Sequence, residues 1–306
     1  MTEYDLAIVG AGVAGLSAGT YAGRGGLKVI ILDEGTAGGV ANNAPVVENF
    51  PGFESIAGHE LVGRMRAQTA RYAEIRELVQ VKSVTGAGPF VLELEGGSVA
   101  ARAVVIATGA KYKPLGLQSE FRLAGKGVSY CATCDGFFFK GKKVFLVGGG
   151  NSALCEALHL HKTGVDVTLV HRRSELRAEK QLQDAYFQAG GKAILGTVVE
   201  DILGESVVTG IRLRKTEGGP SEDYQCSGVF VAIGFEPNNS LAKQLGVALK
   251  DDGSVLVDGH QRTSARYVYA AGDITPGIKQ MVTAAAQGAT AALAAFEDLT
   301  TPYWKK

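Results

Sequence analysis

Cysteine is scarce in this chain: four in 306 residues, at positions 131, 134, 155 and 226. So few thiols, two of them isolated, do not make a secreted disulfide scaffold. A reactive dithiol needs a reducing compartment that keeps turning it over, which points to the cytoplasm. Net charge is missing too. Lys plus Arg and Asp plus Glu each number 31, so no overall field draws in nucleic acid or an anionic membrane, and any charge recognition is local. No uninterrupted apolar run approaches the roughly 20 residues needed to span a bilayer, and no basic, apolar leader precedes the strand entered by Tyr4. A soluble, untargeted protein is expected, long enough for two domains that each bury a core.

Glycine is abundant, 42 residues without a triplet period, which suits many tight strand-to-helix turns and an α/β fold. The first such turn is Gly10-Ala-Gly-Val-Ala-Gly15. A short apolar strand, Tyr4 to Val9, precedes it, an Ala-rich helical stretch to about Tyr21 follows, and a second strand, Lys28 to Leu32, ends in Asp33-Glu34. A bare GxGxxG says little. With a strand before, a helix after and an acid 18 residues past the last glycine, it reads as a dinucleotide site, in which Gly10, Gly12, Ala14 and Gly15 admit the pyrophosphate to a helix N-terminus and Asp33 and Glu34 face the ribose. Beyond it, Ala57 to about Arg76 reads as an amphipathic helix, and Val79 to Ala107 as three short strands broken by Gly86-Ala-Gly88 and Glu95-Gly-Gly97.

The second half repeats this plan. Lys143 to Val147 is a strand, Gly148-Gly-Gly-Asn-Ser-Ala153 a GxGxxA turn, Ser152 to about Thr163 a helix and Asp166 to Val170 the next strand. Two nucleotides are therefore expected, the second held by Gly149, Gly150, Asn151, Ser152 and Ala153. The ends of the second strands differ. In place of acids the second unit has His171-Arg-Arg173 with Arg177 one turn on, a cluster suited to a 2′-phosphate and hence to NADPH; the alternative is a solvated basic strand end.

Immediately before the second glycine turn stands Cys131-Ala-Thr-Cys134. Cysteines at this spacing beside a βαβ pattern read as a redox couple. The rival is half of a zinc site, which asks for four N or S ligands, while the other two cysteines here are isolated. Asp135 adjoins the pair as a candidate general acid, or as a plain turn residue before Gly136.

Ser129-Tyr-Cys-Ala-Thr-Cys-Asp-Gly-Phe-Phe138 resembles the active-site segment of the low-molecular-weight thioredoxin reductases, and the likeness extends over nearly the whole chain. It implies two tandem Rossmann-like three-layer nucleotide-binding domains, the second inserted into the first. The FAD domain would span about 1–110 and 241–306, and an NADPH domain at 111–240 would carry the disulfide. It implies electron flow from NADPH through FAD to Cys131–Cys134 and on to a thioredoxin-like partner, with Cys134 the flavin-side sulfur and Cys131 the attacking one. A homodimer, and a swing about linkers near Ala110–Pro114 and Pro237–Ser240, are implied as well.

The resemblance adds FAD contacts from Gly39, Val40, Asn43 and Asn49, from Thr108 and Gly109 where the first half closes, from Gly272 and Asp273 in Tyr267-Val-Tyr-Ala-Ala-Gly-Asp273, and from Lys279, Gln280 and Met281 at the start of a final helix, Val282 to about Phe296. There are departures. Val40 replaces the family's glutamine, Lys279 and Met281 stand in its Arg-Gln-Ala, and Cys155 falls where a glutamate is common and reads as a buried helix residue. The only tryptophan lies in Tyr303-Trp304, after Pro302, where it is either a frayed end or dimer contact or stacks on the flavin. The departures leave room for a ferredoxin donor or a dithiol oxidase; a reductase serving a peroxidase, or a redox sensor without turnover, are further alternatives.

Overall fold

The computed structural model of the chain describes residues 2–44 and 47–300, so Tyr303 and Trp304 lie outside the described residues. The chain divides into two compact units, Met1–Lys111 with Glu236–Lys306, and Tyr112–Phe235.

The first unit opens with β1 (Thr2–Val9), α1 (Val13–Arg24) and β2 (Val29–Leu32). Leu6 to Val9 and all of β2 are buried on both faces. That is why these strands are near-continuous apolar runs: a parallel sheet with cover on each side leaves no face for polar residues. Next come α2 (Gly58–Thr69), β3 (Glu74–Arg76), β4 (Val81–Thr85), β5 (Phe90–Leu94) and β6 (Gly97–Ile106). The helix expected to run to Arg76 thus ends at Thr69. Residues 74–76 extend instead and pair in parallel with Ile30 to Leu32, because the free edge of β2 offers backbone hydrogen bonds that a solvated last turn of helix does not.

The long strand β6 does two jobs. On one side Gly97 to Ala101 pair antiparallel with Leu94 to Phe90 of β5, and on the other Val99 to Ile106 run parallel to β1, Ala103 opposite Leu6. The chain leaves the unit through β7 (Ala110–Tyr112), continues with α3 (Gln118–Arg122), β8 (Val128–Ser129), α4 (Ala132–Asp135), β9 (Lys143–Val147), α5 (Asn151–Lys162), β10 (Asp166–Val170), α6 (Lys180–Gln188) and β11 (Lys192–Ile194), and then forms the meander β12 (Thr197–Leu203), β13 (Gly210–Lys215) and β14 (Glu222–Gln225). After β15 (Gly228–Val231) it crosses back through β16 (Phe235–Pro237) and finishes with α7 (Ser240–Gln244), β17 (Val268–Ala270) and α8 (Met281–Leu299). The crossings β7 and β16 pair with one another as a two-stranded sheet.

The sheets of the two units correspond. The first contains the parallel run β3-β2-β1-β6-β17, and the second is β11-β10-β9-β15-β8, parallel throughout. Both cores are apolar, with Leu6, Ile8, Leu16 and Ile31 fully buried in one and Leu146, Leu154, Leu160 and Phe230 in the other. At about 1.5–3 kcal/mol per buried large side chain these terms dominate, while exposed ion pairs such as Arg64–Glu60 contribute little. Within α5, the buried positions are Ala153, Leu154, Ala157 and Leu160, so Cys155, expected inside, is exposed on the opposite face.

In the first unit α8 lies against α1 at backbone distance. Gly288 has no room for a side chain, since a Cβ there would sit 2.1 Å from the Ala14 carbonyl oxygen, and Gly272, at φ +82°, brings its own Cβ position to 2.9 Å from Ala14 Cβ. Gly288→Ala should therefore push the helices apart and cost about 2–4 kcal/mol, read as a lowered thermal midpoint of the first unit. A midpoint equal to that of the parent protein would show that the contact yields without cost.

Candidate active site

Strand β8 delivers the chain into the cysteine pair. Cys131 and Cys134 are joined as a disulfide with Cα atoms 5.3 Å apart, the single turn α4 between them. Inside this ring the Cys134 amide donates to Cys131 Sγ at 3.2 Å, and the Asp135 amide to the Cys131 carbonyl at 3.1 Å. Cys131 is half-buried and Cys134 exposed.

One hydroxyl organises the neighbouring polar groups. Ser129 Oγ, buried, accepts from the Cys131 amide at 3.1 Å and donates to Asp135 Oδ2 at 2.6 Å. Burial raises the Asp135 carboxyl above the usual range, and the Ser129 bond, which favours the charged form, works against that. A second carboxyl stands close by, on α5: Glu156 Oε2 accepts from the Ala132 amide at 3.4 Å, and burial pushes the group up to about 7.

The residue before the pair is anchored separately. The Tyr130 hydroxyl donates to Glu120, a fully buried carboxylate that also accepts from the amides of Leu115, Gly116 and Leu117. The Tyr130 ring stacks on Tyr112 at 5.3 Å, and Tyr112 packs on Phe235 at 4.8 Å. Glu120 and Glu156 were not singled out in the sequence. The one available signal is an acid set among apolar helix neighbours, Glu156 between Leu154 and Ala157, and such a pattern fits an exposed acid equally well.

The first glycine turn is held from below. Gly10, at φ +110°, approaches so near the Ala107 carbonyl that a Cβ would be 2.2 Å from its oxygen. Asp33 braces the turn instead of standing free, Oδ2 accepting from the Ala11 amide and Oδ1 from the Gly35 amide at 2.8 Å. Glu34 is exposed. Gly12, the N-cap of α1, has no side-chain cap, and open space stands where its Cβ would be; exposed Gly39 is beside it. An uncapped helix start lined by bare glycine is a cradle for the phosphates of FAD, so these residues fit that group.

Several other predicted positions in this unit have structural partners. Ala14 is buried beneath α8, Val40 and Asn43 are exposed, and Asn49 Nδ2 donates to Gln280 Oε1 at 3.1 Å. Thr108 and Asn238 exchange two hydrogen bonds next to Gly109, at φ +68°. Half-buried Asp273 has its carboxyl raised by burial, opposed by Lys279. Lys279 Nζ donates to the carbonyls of Asp273 and Thr275, and its ammonium is pushed down by burial. Met281 is half-buried at the start of α8.

The second turn is built alike. A Cβ on Gly148 would lie 2.5 Å from the Ala232 carbonyl oxygen and 2.6 Å from the buried Ala153 Cβ, while Gly150, the uncapped N-cap of α5, faces open space. Gly149 has no Cβ because the His171 ring occupies its place, 2.4 Å from the position at Nδ1. His171 is buried, its Nε2 has no partner among the described residues, and burial together with Arg173, Arg172 and Arg177 pushes the imidazole down. It therefore faces the turn as a neutral ring. The cations are Arg172, Arg173 and Arg177, all exposed and without an ion pair among the described residues. The Arg177 amide donates to the Gly149 carbonyl at 2.6 Å, which draws the basic loop to the glycine turn. Ser152 is exposed, whereas Asn151 is engaged with Glu179 in both directions. An uncapped helix start, an orphaned buried nitrogen and three unpaired guanidinium groups fit a phosphorylated pyridine nucleotide.

Comparison with known proteins agrees with this geometry. The pyridine nucleotide-disulphide oxidoreductase family matches residues 4–288. The chain is 38% identical over 292 residues to a thioredoxin reductase of Listeria monocytogenes, covering 94% of this chain and 91% of that protein. It is 41% identical over 298 residues to a bifunctional thioredoxin reductase/thioredoxin of Mycobacterium leprae, covering 95% of this chain and 65% of that longer one. The crystal structure of thioredoxin reductase from Streptococcus pyogenes superposes with a TM-score of 0.90 at 36% identity, covering 97% of this chain and 98% of that one. This chain belongs to the thioredoxin reductase family, within the pyridine nucleotide-disulphide oxidoreductases. It is an FAD-dependent oxidoreductase with FAD and NADPH as cofactors.

Because Ser129 favours the charged form of Asp135, Ser129→Ala should move that carboxyl further upward, so that it stays protonated to higher pH. Titration of a 13C-labelled aspartate signal, assigned with Asp135→Asn, measures the direction. A downward or null displacement would remove Ser129 from control of this group.

Proposed function

We propose that the protein is a thioredoxin-disulfide reductase in which the first unit holds FAD, the second holds NADPH, and Cys131 and Cys134 pass electrons to a thioredoxin-like protein. The observation that carries the reading is the closed Cys131–Cys134 disulfide directly after a parallel strand, in the unit that also contains the glycine turn with its three unpaired arginines. The Mycobacterium leprae relative, whose name joins reductase and thioredoxin in one chain, supports thioredoxin as the partner class. Among the described residues no helix is long and apolar enough to cross a membrane. A cytoplasmic homodimer is part of the same reading.

FAD, when bound, relays the two electrons of the pyridine nucleotide to the disulfide. The protein's own contribution is to position and charge. Arg172, Arg173 and Arg177 bind the 2′-phosphate, with the His171 ring shaping the turn beneath it. Gly12 and Gly39 leave room for the FAD phosphates, and Glu34 receives ribose hydroxyls. Cys131 attacks the partner disulfide; the proton that the departing thiolate needs is held at Asp135, whose raised affinity for it follows from burial.

Two measurements test this. Reductive titration of the yellow protein should take up four electrons per subunit, two for FAD and two for the disulfide, and Cys134→Ser should halve that. Steady-state kinetics should favour NADPH over NADH by roughly 30- to 1000-fold, the ratio given by about 2–4 kcal/mol of charge-assisted bonding. Replacing Arg172 and Arg173 together by alanine should abolish most of the preference while sparing NADH turnover. Failure to oxidise NADPH, with chemically reduced protein still reducing a thioredoxin, would point to another donor, a ferredoxin first.

A further inference from the structure

Glu156 has no part in the electron route described above, yet its carboxyl is hydrogen-bonded to the backbone of the disulfide turn. Its neighbours on α5, Leu154, Ala157 and Leu160, are fully buried. Its oxygen receives the amide of Ala132, itself fully buried and the first residue of the turn that spans the two sulfurs. The carboxyl lines a small cavity with Tyr112, Tyr130, Ser152 and Phe235. No cation offsets it, since Glu156 has no ion pair among the described residues.

The titratable groups around it are few. Tyr130 is committed to Glu120 on α3, Asp135 to Ser129, Tyr112 stacks on Tyr130 from the incoming linker strand, and His159 on its own helix is exposed. Of these groups and the sulfur pair, it is the sulfur pair whose charge has to change when the disulfide opens.

We propose that Glu156 is a positioning residue of the redox turn whose protonation follows the state of the Cys131–Cys134 pair. Ionised, it holds the Ala132 amide against the closed disulfide; when the disulfide opens, it takes up a proton. Opening the S–S bond adds two electrons, and with one proton from solvent gives a thiol and a thiolate. The new negative charge appears on the turn whose Ala132 amide is bound by a carboxylate that has no cation, and a second solvent proton on Glu156 removes the repulsion. The electrons come from the reaction proposed above or from an external dithiol, which is oxidised to its disulfide in turn. Burial already brings the carboxyl to about 7, so a modest added charge suffices to move the proton near neutral pH. The inference rests on reading the pair as a redox centre; chemical reduction tests it without any role for NADPH.

The experiment uses full-length holoprotein carrying Cys155→Ser, because Cys155 is exposed, whereas Cys226 is buried with its thiol pushed up to about 11 and stays inert. The protein is equilibrated with oxidised and reduced dithiothreitol from pH 6 to 8.5, and the dithiol fraction is trapped by alkylation and counted by mass. Glu156→Gln keeps an oxygen for the Ala132 amide but cannot gain a proton. At pH 8 it should raise the dithiol-to-disulfide ratio about fivefold over the parent, rising toward the roughly tenfold that one unit of pKa displacement equals as pH increases further, and the difference should fall below about twofold at pH 6, where the parent carboxyl is already protonated. As a second readout, the reduced-minus-oxidised infrared spectrum at pH 7.5 should gain a protonated-carboxyl band that survives Asp135→Asn and is lost in Glu156→Gln. A Glu156→Gln ratio that tracks the parent across the whole range, or a band that disappears only with Asp135→Asn, overturns the assignment.

Discussion

Both units depend on the same close approach of two backbones. Where β1 and β9 end, a glycine lies against the carbonyl just past a neighbouring strand, Gly10 on Ala107 and Gly148 on Ala232, at distances no Cβ could share. Because the strands converge there, the helix that follows starts uncapped, with its free amides facing outward, and the adjacent strand end comes within reach of the turn. In the first unit that end supplies Asp33, which braces the turn from beneath; in the second it supplies His171, whose ring fills the space above Gly149. One steric constraint thus sets phosphate access, and the next residue type along decides what else is bound.

Much of this was legible before any coordinates. Glycine turns between apolar strands and helices have a spacing that little else produces, so β9 and β10 fall on the residues read from the sequence, and α1, β2 and α5 within a few. What escaped was decided by tertiary context. The stretch after Thr69 has helical periodicity, but the edge of β2 takes residues 74–76 as a strand. Cys155 looked apolar enough to bury and is exposed, because the inward face of α5 is filled by Ala153, Leu154, Ala157 and Leu160. Asp33 illustrates a subtler limit: the motif gives its place, while the two backbone amides that its oxygens also serve come from the tertiary structure.

The acids near the cysteines show why burial is the hardest property to read from a sequence. Asp135, Glu120 and Glu156 are all within 36 residues of one another. Glu120 is fully enclosed yet amply supplied with donors, three amides and a phenol. Asp135 has one hydroxyl and Glu156 one long amide contact, so for these two desolvation outweighs hydrogen bonding and the neutral form gains. The number of donors that reach each carboxyl separates an anchor, Glu120, from groups whose neutral form burial favours, Asp135 and Glu156.

The fifth strand of each sheet comes from a different direction along the chain. In the second unit β8 precedes β9, so the whole parallel sheet, together with the disulfide turn after β8, is encoded in one continuous stretch. In the first unit β17 and α8 arrive only after that stretch has been made, and the face of α1 that bears Ala14 has nothing to pack on until they do. On a ribosome the inner unit can therefore close before the outer one, which waits with apolar helix surface uncovered for β17 and α8.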